Sequence, residues 1–289
     1  MIGEKSHGVW SIPFEFGSAN DIQSDQVSGG LRREHWIIVL DAESHVMYQV
    51  GNARVRPFPF PHVFIEDVFP SDYFANLQRH LPPDGEYQPI AEGGRVARAD
   101  GSTEALYPER FIIDFQSEHF QRMNSESLAV WSELGEWLLG ADLRLFILSK
   151  FENLLRQRFG DSLDNITFHS SAQLFRDVTN YSLGPHADHP SKVIVLLFYL
   201  PAAPGAEHLG TSLYLPHKPG THADTGAHFP RDGFSLLATM SYRPNCATGF
   251  FKTANAFHGV ERVAGPAEQR DLLQFSITYR NPGTYTKGH

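Results

Sequence analysis

A run of eight consecutive apolar residues, at positions 193–200, is the feature that most restricts what this chain can fold into. A polar turn precedes the run and Pro201 follows it. A transmembrane helix needs about 20 apolar residues, so the run is far too short to span a bilayer. Apolar runs of roughly four to eight residues between turn-forming residues are typical of buried strands. We therefore predict a buried strand over residues 193–200.

The chain beyond residue 166 shows little helical periodicity and several more strand-like runs. These runs cover residues 167–178, 211–216, 246–253 and 271–280. The N-terminal half mixes helix and strand patterns, so the order of elements predicts an α+β fold. Helices would then pack on the outside of a β-sandwich or barrel. No linker-like stretch interrupts residues 57–289, which we expect to form a single domain with supporting helices.

Residues 1–56 are predicted to form an N-terminal arm. Within the arm, residues 35–40 and 45–50 have a strand-like composition and are separated by the turn-prone sequence DAES. Two such runs with a short polar connection indicate a candidate hairpin.

Helices are predicted in two regions of the N-terminal half. One begins near residue 71, where Ser71 is a suitable N-cap and Asp72 suits the positive end of the helix dipole. Pro82 and Pro83 end that helix. Residues 127–159 carry apolar side chains at helical spacing and predict two helices, separated by a break near Gly140.

Composition excludes several classes of partner. The chain has 33 acidic and 24 basic residues and a net charge of −9, which argues against a nucleic acid or an anionic membrane as its main partner. The single cysteine, Cys246, excludes an internal disulfide and is expected to be a small buried apolar residue. No signal-peptide pattern is visible at the N-terminus, so we expect a cytoplasmic protein.

Candidate metal ligands stand in the polar turn before the apolar run. If residues 186–188 are extended, His186 and Asp188 point to the same face of the backbone. His258 is a third candidate, and Gly259 beside it permits close approach of another backbone segment. Two histidines and one carboxylate form a facial set of ligands that suits iron(II) and oxygen chemistry. The same set can hold zinc and activate a water molecule, so ligand identity leaves both metals open.

Arg270 favours one of these alternatives. It stands at the start of the strand-like run 271–280, and its guanidinium can bind a carboxylate through two hydrogen bonds. A hydrolytic zinc site has no need of such a residue, whereas an enzyme that holds a dicarboxylate on its metal does.

These residues and their order resemble the iron(II)- and 2-oxoglutarate-dependent dioxygenases, in particular the prolyl-hydroxylase-like branch. The segment YSLGPHADHPSKVIVLLFYLP, residues 181–201, is similar to that branch's tyrosine, glycine, His-x-Asp turn and following strand. HLGTSLYLP is similar to its Gly-Gly-x-Thr turn, with Leu209 in place of the first glycine. AFHGVERV carries the distal histidine, and FPFPHVFIEDVFPSDYF is similar to the start of many members. The resemblance covers roughly residues 57–280.

The resemblance implies a double-stranded β-helix core, of the jelly-roll or cupin-like kind, flanked by N-terminal helices. It implies that His186, Asp188 and His258 are the catalytic ligands of Fe(II), with 2-oxoglutarate and dioxygen as co-substrates. Arg270 would bind the distal carboxylate of 2-oxoglutarate. The implied reaction converts 2-oxoglutarate to succinate and carbon dioxide while a C–H bond of the substrate is oxidised, most often by hydroxylation.

Some co-substrate contacts remain unassigned. Many members have a serine two residues after the arginine, where this chain has Leu272. Tyr181 matches a tyrosine that often hydrogen-bonds the same carboxylate, and Lys192 and Thr211 are further candidates for this contact. Asp188 stands where halogenating relatives have glycine, which favours hydroxylation.

Two other classes of function stay open at this point. One is a non-catalytic, cupin-like metal-binding sensor or structural protein, and the other is a zinc hydrolase. We favour an oxygenase that acts on a small organic molecule, because no groove for a polymer is visible in the sequence. Five further histidines are expected to be solvated, with at most one contacting substrate: His189, His208, His217, His222 and His228. The oligomeric state is not predicted.

Overall fold

The computed structural model describes residues 41–92, 107–223, 228–264 and 269–280. Five α-helices lie within these residues: α1 (Ala42–Asn52), α2 (Ser71–Arg79), α3 (Ser125–Leu138), α4 (Ala141–Lys150) and α5 (Glu152–Phe159). The strands are β1 (His62–Ile65), β2 (Gln88–Pro89), β3 (Arg110–Asp114), β4 (Thr167–Asp177), β5 (Leu183–His186), β6 (Lys192–Tyr199), β7 (Thr211–Pro216), β8 (Phe234–Thr239), β9 (Ala247–Phe251), β10 (His258–Val260) and β11 (Arg270–Arg280).

The predicted hairpin of the N-terminal arm is wrong in the half that the structure describes, because residues 45–50 belong to α1. The Asp41 carboxylate accepts a hydrogen bond from the Ser44 backbone N–H, so the DAES sequence is a helix N-terminus rather than a turn. Val46 and Val50, one helical turn apart, are both buried in the core. Residues 35–40, the other half of the hairpin, lie outside the described residues.

The domain boundary predicted at residue 57 stays a prediction, but helix α1 of the predicted N-terminal arm contacts α4. The Lys150 ammonium on α4 donates hydrogen bonds to the backbone carbonyls of Gly51 and Ala53, at 3.0 and 2.7 Å. Helix α1 therefore packs against α4.

The remaining helices follow the predicted pattern with two differences. Helix α2 begins at Ser71, but the N-cap position is Pro70 and the Ser71 side chain makes no capping hydrogen bond. The region 127–159 contains a third helix, because the chain breaks again at Phe151 as well as at the predicted Gly140. Phe151 is almost fully buried in the core, which fixes the bend between α4 and α5.

The strands form two antiparallel sheets, which confirms an α+β fold. The major sheet has the strand order β1-β9-β6-β11-β4-β3-β2, and the minor sheet has the order β5-β10-β7-β8. The predicted buried strand is β6, which lies inside the major sheet between β9 and β11. Every apolar residue from Val193 to Tyr199 is buried, because the helices cover one face of this strand and the minor sheet covers the other.

Each face of the major sheet has a different partner. Alternate residues of β11, among them Leu273, Phe275 and Ile277, pack into a core shared with the helices. On the opposite face, residues such as Leu272 and Tyr199 pack with Leu213 of the minor sheet. The two sheets therefore face each other, and a cavity lies between them.

Cys246 is buried and unpaired, as expected for a small apolar residue. No helix within the described residues is long and apolar enough to cross a membrane.

Candidate active site

Two histidines meet on neighbouring strands of the minor sheet. His186 is the last residue of β5 and His258 is the first residue of β10, and the two are directly opposite each other in the antiparallel pair. Their ring centroids are 4.3 Å apart. Residues directly opposite on adjacent strands point to the same face of a sheet, so the strand register itself brings the two imidazoles together.

Asp188 completes the group two residues after His186. Ligand atoms of His186, Asp188 and His258 all lie within 4.8 Å of one another. The Oδ2 atom of Asp188 is 3.9 Å from Nε2 of His258, and it is buried without a hydrogen-bond partner among the described residues. The structure thus brings together the three residues that the sequence singles out.

The hydrogen bonds behind the two imidazoles fix which nitrogen is free. Nδ1 of His186 lies 3.0 Å from the Gly184 carbonyl oxygen, and Nδ1 of His258 lies 2.9 Å from that of Ala256. A carbonyl can only accept, so Nδ1 carries the proton in both rings and Nε2 keeps a lone pair. Outer hydrogen bonds of this kind orient histidine ligands in metal sites.

Burial keeps both imidazoles in the form that binds a metal. Desolvation lowers the pKa of His186 well below its ordinary value, and it lowers the pKa of His258 as well. Neutral imidazoles and an ionised carboxylate are the protonation states that a divalent cation requires. Two aligned lone pairs and an unpartnered carboxylate oxygen therefore fit a divalent metal ion.

Lys192, one of the predicted co-substrate contacts, pairs with Asp188 in the described structure. Its ammonium donates a hydrogen bond of 2.9 Å to Oδ1 of Asp188. Burial alone would raise the pKa of Asp188, but the positive charge of Lys192 keeps that pKa well below its ordinary value. Lys192 also orients the carboxylate, because Oδ1 is engaged and Oδ2 is left facing the histidines.

Gly259 allows the two histidine strands to approach. A Cβ atom at this position would lie 2.3 Å from the Leu183 carbonyl oxygen and 2.9 Å from that of Gly184. Both carbonyls belong to β5, so any side chain here would push β5 and β10 apart. The close approach expected from the sequence is present.

The site opens into a cavity of about 550 Å³ between the two sheets. It is lined by His186, Asp188 and His258, which we call the triad, and by Lys192, Thr211 and Arg270. Small-molecule sites in proteins usually have volumes of about 300–1,000 Å³. Its lining is strongly charged, because the triad and a cluster of arginines face the same space.

The arginine cluster is built on one rung of the major sheet. Asp177 on β4 lies directly opposite Arg110 on β3 and Arg270 on β11. Arg110 donates to both carboxylate oxygens, at 2.6 and 2.9 Å, and Nη1 of Arg270 donates to Oδ2 at 2.7 Å. Two guanidiniums share one carboxylate, so the cluster carries one uncompensated positive charge.

Arg270 is almost fully buried, and its Nε donates to the Leu209 carbonyl at 2.6 Å. Its Nη2 makes no hydrogen bond within the described residues and remains able to donate to a ligand. Arg110 lines the same cavity and was not singled out from the sequence. In the sequence, Arg110 is a cation at the start of a predicted strand, and such cations are too common to indicate a ligand site.

The other two predicted co-substrate contacts lie near this cluster. Tyr181 is fully buried, with the Arg110 guanidinium 4.3 Å above its ring, and its hydroxyl has no hydrogen-bond partner among the described residues. Thr211 lines the cavity, where its hydroxyl accepts a hydrogen bond of 2.9 Å from Tyr199. Both therefore stand close enough to the arginines to remain candidates for a carboxylate contact.

Among the described residues, His228 also approaches the triad. Its ring centroid lies 4.7 Å from that of His186, and its ring stacks on Tyr107, whose hydroxyl hydrogen-bonds the imidazole at 2.7 Å. The side chain is nevertheless exposed, in agreement with a solvated histidine.

Among known proteins, the chain is similar to several solved structures. No protein-family model matches this chain, and no curated protein matches it in sequence. The chain is similar to a crystal structure of a Pseudomonas putida prolyl-4-hydroxylase, with 15% sequence identity and a TM-score of 0.43, over 82% of this chain and 99% of the other.

Two more solved structures show similarity at the same level. An oxidoreductase of the 2OG-Fe(II) oxygenase family from Burkholderia pseudomallei has 15% identity and a TM-score of 0.41, over 82% of this chain and 89% of the other. HygX from Streptomyces hygroscopicus, solved with nickel and 2-oxoglutarate bound, has 13% identity and a TM-score of 0.40, over 75% of this chain and 82% of the other. Similarity at this level assigns no function to the chain, so a function has to be argued from its own site residues.

Proposed function

We propose that this protein is an iron(II)- and 2-oxoglutarate-dependent oxygenase that hydroxylates a small organic molecule. In this proposal the two facing antiparallel sheets form a double-stranded β-helix, with His186, Asp188 and His258 as the iron ligands. When bound, the metal with 2-oxoglutarate and dioxygen would supply the oxidising chemistry. The residues of the chain would bind, orient and shield the reactants.

One observation carries the proposal. A single cavity contains a three-ligand set with an unpartnered carboxylate oxygen and, in addition, a buried arginine cluster with one net positive charge. A ligand that chelates a metal at one end and has a carboxylate at the other matches both features. 2-Oxoglutarate is such a ligand, and a hydrolytic zinc site would have no use for the second feature.

The arginine cluster would receive the distal carboxylate. Nη2 of Arg270 makes no hydrogen bond to the described residues, unlike Nε and Nη1, and the buried Tyr181 hydroxyl also lacks a partner among them. A carboxylate between them would satisfy both groups and neutralise the remaining positive charge. Arg110 would contribute charge and would hold Asp177 in place.

The test is an anaerobic titration of the purified protein with Fe(II) and 2-oxoglutarate, followed by visible absorption. Chelation of 2-oxoglutarate to iron gives a weak metal-to-ligand charge-transfer band. We expect the band in the wild-type protein and its loss in Asp188→Ala and His258→Ala. His217→Ala, which changes an exposed histidine outside the cavity, is the matched control and should keep the band.

The role of Arg270 has its own readout. Arg270→Ala should raise the concentration of 2-oxoglutarate needed for half of the band, while Fe(II) binding alone is unchanged. Formation of succinate in air would then separate an oxygenase from a metal-binding sensor. A wild-type protein that binds zinc through the triad and gives neither band nor succinate would contradict the proposal and favour the hydrolase or sensor.

A further inference from the structure

The cavity has a third distinct region, which the metal site and the arginine cluster leave unused. It is formed by the cavity-facing residues of β4 and β11, the two central strands opposite the minor sheet. Along β11, Leu273, Phe275 and Ile277 pack toward the helices, whereas Gln274, Ser276 and Thr278 line the cavity. The alternation of a strand therefore places a polar side chain at each cavity-facing position beyond Leu272.

The same pattern continues on β4, where Ser171 and Gln173 line the cavity. Strand register makes two matched pairs of these residues, because Gln173 is directly opposite Gln274 and Ser171 is directly opposite Ser276. We call Ser171, Gln173, Gln274 and Ser276 the polar wall. Its members are uncharged, in contrast to the triad and the arginine cluster.

Two atoms of the polar wall lack partners although they are buried. Gln274 donates a hydrogen bond of 3.3 Å to Oε1 of Gln173, which leaves the Gln173 amide nitrogen free. That nitrogen and the Ser276 hydroxyl are buried without a hydrogen-bond partner among the described residues. The exposed fractions of these two residues are 2% and 1%. Buried polar atoms are nearly always hydrogen-bonded, so unpaired ones on side chains that line a cavity indicate a missing partner.

We propose that the polar wall binds the primary substrate, and that this substrate is a small, uncharged, hydroxyl-rich molecule such as a sugar or cyclitol. The inference rests on the proposed function, which supplies the reason for a second organic ligand in the cavity. Amides and hydroxyls both donate and accept, as hydroxyl groups of a polyol do, and none of the four side chains offers a charge.

The alternatives fit the wall less well. An apolar substrate would leave the Gln173 amide and the Ser276 hydroxyl unsatisfied. An acidic substrate would find the arginine cluster, where the co-substrate carboxylate is expected, and Lys192, which already pairs with Asp188. The cavity volume of about 550 Å³ holds a small molecule or one end group, and it is shared with 2-oxoglutarate.

The experiment uses four small probes with different chemistry. These are myo-inositol and methyl α-glucoside as neutral polyols, gluconate as an anion, and cyclohexanol as a largely apolar ring. Binding is followed by saturation-transfer difference NMR on the full chain loaded with Zn(II) and 2-oxoglutarate, so that no turnover occurs. We expect signals from at least one neutral polyol and weaker or no signals from the other two compounds.

Variants connect the signal to the wall. Gln173→Leu and Ser276→Ala should lose the polyol signal, whereas Ser235→Ala, an exposed serine on β8, should keep it. Ser276→Ala should in addition unfold at a higher temperature than the wild-type protein, because it removes a buried unpaired hydroxyl. A purely structural role for the wall would lower that temperature instead.

The outcomes separate this proposal from the proposed function. Absence of any polyol signal, a polyol signal that survives in both wall variants, or preferential binding of gluconate or cyclohexanol overturns the substrate class. The Fe(II)–2-oxoglutarate band is measured on the same samples of each variant. A band without polyol binding leaves the oxygenase intact and refutes only the wall, whereas loss of the band in wild-type protein refutes the oxygenase.

Discussion

Asp177 is the residue whose replacement tests most directly how the deep end of the cavity is held together. Its side chain is fully buried and accepts three hydrogen bonds, two from Arg110 and one from Arg270. Asp177→Asn preserves the size of the side chain and one acceptor oxygen. It removes the negative charge and turns an NH₂ group toward guanidinium donors.

The expected cost follows from the loss of a buried partner. Removing one member of a buried ion pair typically costs about 3–5 kcal/mol, because the other charge remains buried without compensation. Here two guanidiniums lose the charge they share. Glu152→Gln is the matched control, since Glu152 pairs with Arg156 on the exposed face of α5. An exposed pair one helical turn apart contributes only about 0.3–0.5 kcal/mol.

The assay is equilibrium unfolding in urea, followed by tryptophan fluorescence and far-ultraviolet circular dichroism. Asp177→Asn should lower the free energy of unfolding by about 3–5 kcal/mol, and Glu152→Gln should lower it by less than about 1 kcal/mol. Each kcal/mol corresponds to about 2–4 °C in melting temperature for chains approaching this size. The aspartate variant should therefore melt roughly 6–20 °C earlier.

A ligand effect makes the prediction sharper. Asp177→Asn raises the net charge of the cluster by one, so 2-oxoglutarate should stabilise the variant more than it stabilises the wild-type protein. If Asp177→Asn falls within about 1 kcal/mol of the Glu152→Gln control, the argument from a shared buried charge is refuted.

Three further predictions concern the triad and the loops around the sheets. Burial lowers the pKa of both triad histidines, so below about pH 6.5 the unfolded chain binds more protons than the folded one. The free energy of unfolding of the metal-free protein should therefore fall as the pH drops. Urea titrations at about pH 7.5 and about pH 5.5 measure this, and replacing both histidines with glutamine should reduce the difference. Gly259→Ala should weaken Zn(II) binding by about 10–100-fold in a chelator competition, the usual effect of changing residues that support metal ligands. Gly233→Ala is the control and should have no effect, because a Cβ atom at that position meets nothing within 4 Å. Asn245→Ala should lower the free energy of unfolding by about 3 kcal/mol, because it loses two hydrogen bonds to the Phe69 backbone and keeps a left-handed φ of 55°. Asn180→Ala, at an exposed position with a φ of 78°, should lower it by less than half as much.

The close approach of His186, Asp188 and His258 could be predicted because the sequence around each residue is informative. His186 and Asp188 are two residues apart, so an extended backbone is enough to place them on one face. His258 is distant in sequence, but a histidine followed by Gly259 already indicated a close approach between strands. The residues next to each of these three side chains thus indicate which way the side chain points and how closely the strands approach.

The arginine cluster could be predicted only in part. Arg270 was expected to bind a carboxylate, but its partner in the described structure is Asp177, with Arg110 on the other side. These three residues share one rung because β3, β4 and β11 pair in a particular register. Register depends on packing across the whole sheet, and a single sequence does not reveal which residues become neighbours.

The polar wall and helix α1 were missed for related reasons. The run 271–280 was interpreted as an apolar strand, although its polar residues alternate with apolar ones. Only the second sheet shows that the polar face is the inner one. For α1, valines gave residues 45–50 a strand-like composition, and the capping role of Asp41 was not recognised. Tertiary packing against α4 decides the conformation there.

The pairing of His186 with His258 has a consequence for how the chain folds. The two residues lie far apart in sequence, so their strands can join only late, after a long loop has closed. A slip of β10 by one residue would turn His258 to the other face of the minor sheet and dismantle the ligand set. A divalent metal would therefore bind only the correctly registered chain, and its presence during refolding would select that register over its neighbours.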